Sequence, residues 1–534
     1  MQQIPYSEIP GQLPIFLDAI ESFQKVSRFY NGDFRDADSY RKVWDDLQSY
    51  SFHREEVSGI LVKEQERLGA PGEAIENAKP VADPKAAAVL TGQQIGLIGG
   101  PLYTVIKAVA AIRWADYLSD VIDAPVVPIF WMEGEDHDFE EIRRVTVLDR
   151  DGGKVPVGLE DRRAYPHQVV GWHRPGAEMN RFLKELDNAL PPGMHRDEVI
   201  HRVRDCYQPG VSLSDAFGRW LLGWLGDRGL VVAESLNPDL KRLAAPCFQR
   251  AVSHSETHVR LYEERRHELE VAGYPCTLKP SAAFHFFYVL NDGVRVPVSR
   301  GDSPEMFEGD LADLAVEHPE RFSPKAILRP VVQDMLFPTV AIIAGPGEMS
   351  YFPQVQPFYV DYGRPMPVIV PRPGITLLEK AWERNLGKLS LSVTDLYLPQ
   401  ELLNRKIAGR GQTEVMEGID KRIQAVNASL DEIESLVSDV DTALLTSAQK
   451  LRGAIERRLQ QFVSRIENGI VSSDQAMGER IQRLRTALYP DEHLQERVYS
   501  PLSFLIRHGF EWVADRLGSV PMDRYNHFVV PLEE

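Results

Sequence analysis

Two short stretches of the chain gather most of the residues able to do chemistry. The first, Thr91–Lys107, reads TGQQIGLIGGPLYTVIK and follows the apolar run Ala86–Leu90. A strand, a glycine-rich turn and a helix start in that order bring backbone N–H groups together at the positive end of a helix dipole, an arrangement that holds anions and nucleotides. Gly92, Gly99 and Gly100 allow close backbone approach, and Pro101 suits a first helical turn. Gln93 and Gln94 carry amides that both donate and accept, and Tyr103 is grouped with them as a binding residue. Lys107, two turns into the helix, reaches back toward a carboxylate or phosphate. Neither GxGxxG nor GxxxxGK[ST] is present, and the plain alternative is a tight turn with a surface lysine.

The second stretch is the acidic cluster Glu133, Glu135, Asp136, His137, Asp138, Glu140 and Glu141, directly after the apolar run Val126–Met132. His137 flanked by Asp136 and Asp138 is the candidate general base, since a carboxylate fixes an imidazole tautomer and stabilises the imidazolium; Glu135 is a candidate binding group. The same residues have the chemistry of a divalent-metal site, but chain neighbours cannot all face one ion, and no metal site is assigned. An acidic helix start is the structural alternative. Further along, Gly345, Gly347 and Glu348 open another helix after a strand and offer N–H groups to a second anion. Arg329 and Arg372 sit beside prolines, stiffly held, as candidates for a carboxylate clamp. No Gly-x-Ser-x-Gly elbow occurs, and His258 and His267 read as a solvated helical face.

These residues need a scaffold. The runs Ala86–Leu90, Val126–Met132, Gly229–Ala233, Thr339–Ala344 and Pro367–Val370 read as strands, with helical patterns between them such as Leu213–Leu225 and Asp239–Ala272. Parallel strands joined by helices make a Rossmann-like, doubly wound α/β core whose ligands lie beyond the carboxyl ends of the strands. Asn291-Asp292-Gly293 marks a hairpin inserted into it, and Asp149–Pro192 reads as a polar, β-rich insertion. Beyond residue 375, Ile419, Ile423, Val426, Leu430, Ile433, Val437, Val440 and Leu444 form a heptad seam. A second seam runs through Leu451, Ile455, Leu459, Phe462 and Ile466, so the C-terminal third is expected to be an antiparallel α-helical coiled coil. The expected division is 1–148 and 211–378 for the two halves of the core, 149–210 for the insertion, 379–500 for the coiled coil and 501–534 for a segment returning to the core.

With 78 acidic against 60 basic residues the net charge is −18, the wrong sign for a protein whose affinity would come from nucleic-acid phosphates, and a small-molecule substrate is favoured. The apolar runs are strand-length, short of the ~20 residues of a membrane helix, and no secretory pattern opens the chain. Three scattered cysteines fit a reducing cytoplasm.

TGQQIGLIGGPLYTVIK, PIFWMEGEDHDFEEI, EHPERFSPKAILRPVVQDMLFPTVAIIAGPGEMSYF, MPVIVPRPGITLLE and the closing HFVVPL together resemble the cysteine-adding enzyme family of bacillithiol biosynthesis, the BshC family. The resemblance implies a Rossmann-like core with connective insertions, an antiparallel coiled coil and a cytoplasmic homodimer. It also implies a ligase that joins L-cysteine to glucosaminyl-malate through an amide bond. His137 would then take the ammonium proton of the sugar amine, the Gln93–Gly100 turn and Lys107 would hold a nucleotide or the activated carboxyl, and Arg329 and Arg372 would hold the malate carboxylates. ATP is expected as activating cosubstrate from the reaction class, although no HIGH-like or KMSKS-like motif stands in the sequence. The alternatives are a non-catalytic nucleotide- or thiol-binding scaffold and an aminoacyl-adenylate enzyme acting on another amine.

Overall fold

Five apolar segments pair side by side, all parallel, into the central sheet: β1 (Ala87–Gln94), β2 (Val126–Glu133), β3 (Val231–Glu234), β4 (Thr339–Ala344) and β5 (Val368–Pro371). In space they run β5-β4-β1-β2-β3, the order of a Rossmann-type sheet with its direction reversing between β1 and β4. β2, β3, β4 and β5 are buried along their whole length, as expected of strands covered by helices on both faces. The computed structural model describes residues 1–160, 167–278, 284–299, 307, 309–411, 413–438, 442–473 and 475–532. They divide into two compact units, one of Met1–Thr376 with Leu494–Val530 and one built on Leu377–His493.

Within the first unit, α1 (Leu102–Ile122) follows β1 and α2 (Pro346–Asp361) follows β4. Pro101 stands at the N-cap of α1 in extended conformation, and Asp123 in the left-handed region ends it. The insertion after β2 opens with a hairpin of Arg144–Leu148 and Lys154–Gly158, but it then turns helical at Glu178–Ala189, more helix than the polar composition announces; residues 161–166 of it lie outside the described residues. The hairpin expected at Asn291–Gly293 forms from Phe286–Val289 and Arg295–Pro297, joined by a third strand, Phe322–Pro324. The helical stretch expected over Asp239–Ala272 forms two helices, Pro238–Ser253 and Ser255–Val271, which meet at His254. His254 and Arg250 both contact Asp361, and His258, expected on a solvated face, is 1% exposed with its Nε2 3.1 Å from the same carboxylate. His267 is exposed as expected.

The second unit carries the long helices Thr413–Ser438, Thr442–Ser473 and Gln475–Leu488. Arg452 ties the first two together through Asp431 at 2.5 Å and Glu434 at 3.0 Å. Of the heptad positions, Leu430 is buried whereas Ile433, Leu444, Leu451 and Phe462 are exposed; Val440 lies outside the described residues. No helix among the described residues is long and apolar enough to cross a membrane.

Candidate functional site

The crevice begins where β1 and β4 part. Their pairing runs from Ala88 to Leu90 on β1 and is interrupted by a register shift between Thr339 and Ala341; beyond Leu90 β1 continues to Gln94 without a β4 partner. There the Thr91 hydroxyl donates to the Ile343 carbonyl at 3.0 Å, the last tie between the strands. Below the opening lies the Lys107 ammonium, 2% exposed, which donates to the Gly92 carbonyl at 2.8 Å and to Gln93 Oε1 at 3.1 Å and pairs with Glu348 Oε2 at 2.5 Å. Burial lowers the Lys107 pKa against the opposing pull of Glu348. Burial works upward on Glu348, but Lys107 and Arg329 outweigh it and hold the carboxyl below its ordinary value. The pair locks the end of β1 to the start of α2.

Glu348 has a second task. Its Oε2 accepts from the Gly345 N–H at 2.8 Å, closing the first turn of α2 in the manner of a capping box. The expectation that Gly345 offers its N–H to an anion is corrected by this bond; Gly347 faces the crevice with open space around its Cα. The glycine turn behaves likewise. Gly96 donates to the Gln94 carbonyl, Ile98 to the Tyr207 hydroxyl at 2.8 Å, Gly100 to the Leu97 carbonyl and Leu102 to the Tyr499 carbonyl. Gly99 and Gly100 adopt positive φ, and a Cβ on Gly99 would stand 2.7 Å from Trp220 Nε1. These two glycines lie away from the crevice and let the chain turn against Trp220; with the N–H groups of Gly96, Ile98, Gly100 and Leu102 already bonded within the protein, the turn does not fit a triphosphate cradle.

A cleft of about 640 Å³ opens above, walled by Gly92, Gln93, Gln94, Tyr103 and Lys107 from the β1 side and Gly345, Gly347, Glu348 and Tyr351 from the β4 side. Glu133, Asp136, His137 and Glu141 line a third side. Asp136 accepts from the Gln94 side-chain amide and from the backbone N–H groups of His137 at 2.7 Å and Asp138 at 3.3 Å, and its pKa is held down by Arg295 and these donors against burial. His137 Nδ1 lies 3.5 Å from Asp136 Oδ1 and 3.4 Å from Arg295 Nη1, which is itself 3.5 Å from the carboxylate. A guanidinium so placed draws on the charge that would otherwise raise the imidazole. Burial and then Arg295 lower the His137 pKa, so its neutral form prevails at physiological pH.

Asp138 and Glu135 lie elsewhere. Asp138 caps the short helix Phe139–Ile142, accepting from the Glu141 N–H at 3.2 Å, so the expectation that it orients His137 is corrected to a capping role. Glu135 is buried behind the wall in an ion pair with Lys241 at 2.6 Å. It pushes up the pKa of Glu133, after the larger effect of that residue's own burial. Arg329 lines the cleft, donating to the Tyr351 hydroxyl at 2.7 Å with Glu133 at 3.9 Å. Arg372 lines it too, but Glu496 at 2.6 Å and the Pro373 carbonyl at 2.9 Å already take its donors, leaving it a poor clamp for a substrate carboxylate. Phe287, Arg295, Lys325, Tyr351 and Arg497 complete the lining and were not picked out from sequence. Arg295 and Lys325 come from the hairpin insertion and the loop after its third strand; no local motif marks them. Among the described residues no group of His, Cys, Asp and Glu forms a metal site.

Residues 1–373 match the family description "Bacillithiol biosynthesis BshC, N-terminal Rossmann-like domain", and residues 375–532 match "Bacillithiol biosynthesis BshC, C-terminal coiled-coil domain". The chain belongs to the BshC family. BshC relatives resemble it end to end. One from Salinibacter ruber is 31% identical over 97% of this chain and 96% of its own length. One from Symbiobacterium thermophilum is 32% identical over 93% and 94%. Both carry the name cysteine ligase BshC as a provisional assignment. The boundary between the two BshC domains, at residues 373 to 375, falls close to the division between the compact units after Thr376.

Proposed function

We propose that this protein is a ligase that joins the carboxyl group of L-cysteine to the amine of glucosaminyl-malate, forming an amide bond in the last step of bacillithiol biosynthesis. Membership of the BshC family and the relatives' naming as cysteine ligases support the ligase class and cysteine as substrate. The observation that carries the chemistry is the triangle of His137, Asp136 and Arg295 on one wall of a cleft that also bears Arg329 and Lys325. An amine attacks an acyl carbon only as the free base. A neutral imidazole beside it takes the ammonium proton, and His137 is held neutral by burial and Arg295. The cations opposite suit the malate carboxylates.

Amide formation from a free carboxylate requires activation, and ATP is proposed as the activating cosubstrate on the reaction class alone; its phosphates would sit away from the glycine turn. The work would be done in the cytoplasm by a homodimer, a reading supported by the exposed apolar heptad positions Ile433, Leu444, Leu451 and Phe462.

The test is mass-spectrometric: purified protein with glucosaminyl-malate and cysteine, with and without ATP. Condensed thiol only with ATP supports the full reading. Product without ATP replaces ATP with another activated donor, and no product in either case from folded protein turns the assignment toward a scaffold. His137→Ala is expected to lower turnover at least about a hundredfold with the fold intact; near-normal turnover removes the proposed role of His137.

A further inference from the structure

The Lys107 ammonium has hydrogens to give and no lone pair to receive with, so Gln93, 3.1 Å away, must turn its side-chain oxygen toward it. That fixes the amide. Its Nε2 is left facing Tyr103, where it donates to the phenol oxygen at 3.3 Å. The phenol oxygen is thus an acceptor already, and its own hydrogen points elsewhere. Among the described residues Tyr103 makes no second hydrogen bond, and its side chain lines the cleft. Burial keeps the phenol protonated, its pKa above the ordinary value although Arg497 and Arg372 pull it down.

Of those two cations, Arg372 is matched by Glu496. Arg497 is exposed, lines the same cleft, and its guanidinium has no hydrogen bond or ion pair among the described residues. We propose that Tyr103 and Arg497 form a carboxylate subsite, the phenol donating to one oxygen and the guanidinium binding the anion. The subsite is matched to a single negative charge. Six basic side chains line the cleft against four acidic ones, and Lys107 and Arg295 already answer to Glu348 and Asp136. A phosphate dianion would bring both of its charges to this one subsite, whereas malate brings one carboxylate there and leaves its second to Arg329 and Lys325 on the same cleft. The assignment rests on the ligase reading only for which substrate brings the carboxylate: the malate half of the amine substrate.

L-malate alone is the probe, its affinity measured by isothermal titration calorimetry on the full chain. Tyr103→Phe and Arg497→Met are each expected to weaken binding by about tenfold or more, the effect of a hydrogen bond or ion contact to a charged group. Gln93→Glu tests the relay. A carboxylate at that position accepts, so Tyr103 turns its hydrogen away from the cleft. The loss is expected to be about tenfold smaller in the Tyr103→Phe background, where only the added charge is felt. Inorganic phosphate is expected not to displace malate. Equal malate affinity in Tyr103→Phe and the parent, absence of malate binding, or displacement by phosphate at matched concentration overturns the subsite. The expected malate pattern without condensed thiol overturns the ligase assignment and leaves the subsite standing.

Discussion

The two loops that follow β1 and β2 look alike in sequence, each a cluster of polar or small residues after an apolar strand, yet the fold uses them differently. The turn Gly92–Gly100 is bonded into the protein around it. Its N–H groups end on Gln94, Tyr207 and Leu97, and the lysine beneath it is bonded on three sides. The loop Glu133–Asp138 keeps Asp136 and His137 in the cleft wall, held by contacts of 3.4 to 3.5 Å to an arginine from a distant hairpin. A glycine-rich turn is thus here a frame, and the acidic loop is where protonation states can change. Burial decides which is which: a lysine at 2% exposure needs its partner in place, whereas an imidazole at 30% exposure can trade partners.

The sharpest way to break this contrast is at the frame. Lys107→Met leaves Glu348 without its cation, and a loss of about 3 kcal/mol in urea unfolding is expected, most of it recovered when Glu348→Gln is added. A loss below about 1 kcal/mol would make the pair dispensable and the contrast unfounded. A glycine of the frame is set next against one on the rim of the cleft. Gly99→Ala places a Cβ at positive φ against Trp220 and is expected to cost about 2 kcal/mol, read as a drop in thermal midpoint. Gly347→Ala, at ordinary φ with no atom within 4 Å of the new Cβ, is expected to stay within about 0.5 kcal/mol of the parent.

The smallest effect belongs to the acidic loop. Arg295→Met removes a charge that, after burial, lowers the His137 pKa, which then rises: burial and His167 still pull it down, and Asp136 and Asp138 still push it up. A base works in its neutral form, so the acid limb of activity lies where pH falls through this pKa, and the substitution should move that limb to higher pH. Histidine proton resonances followed against pH give the same shift independently. An unmoved titration would mean that Arg295 does not govern the imidazole.

How far the sequence led follows the same line. The five strands were legible because each is a short apolar run between breakers, and the place of the cleft was legible because polar loops follow β1, β2 and β4. What each loop bonds to was not. Ile98 finds a tyrosine 109 residues on, His137 an arginine 158 residues on, and Arg372 a glutamate 124 residues on. No local periodicity carries such partners, so the turn read as an open anion cradle and Arg372 as a free clamp. The burial of His258 was hidden for the same reason, since its partner Asp361 lies 103 residues away.

The tie between Thr91 and Ile343 joins segments 252 residues apart, and it has a consequence for the growing chain. On the ribosome, β1 emerges with β2 and β3 to follow, but its other flank waits for β4. At about 5–20 residues per second that flank stays open for roughly 10 to 50 seconds. An apolar strand edge with no partner is a template for wrong pairing. The interval between synthesis of Thr91 and of Ile343 is therefore when this protein is most in need of a chaperone, and a chain terminated within it is the form most prone to aggregate.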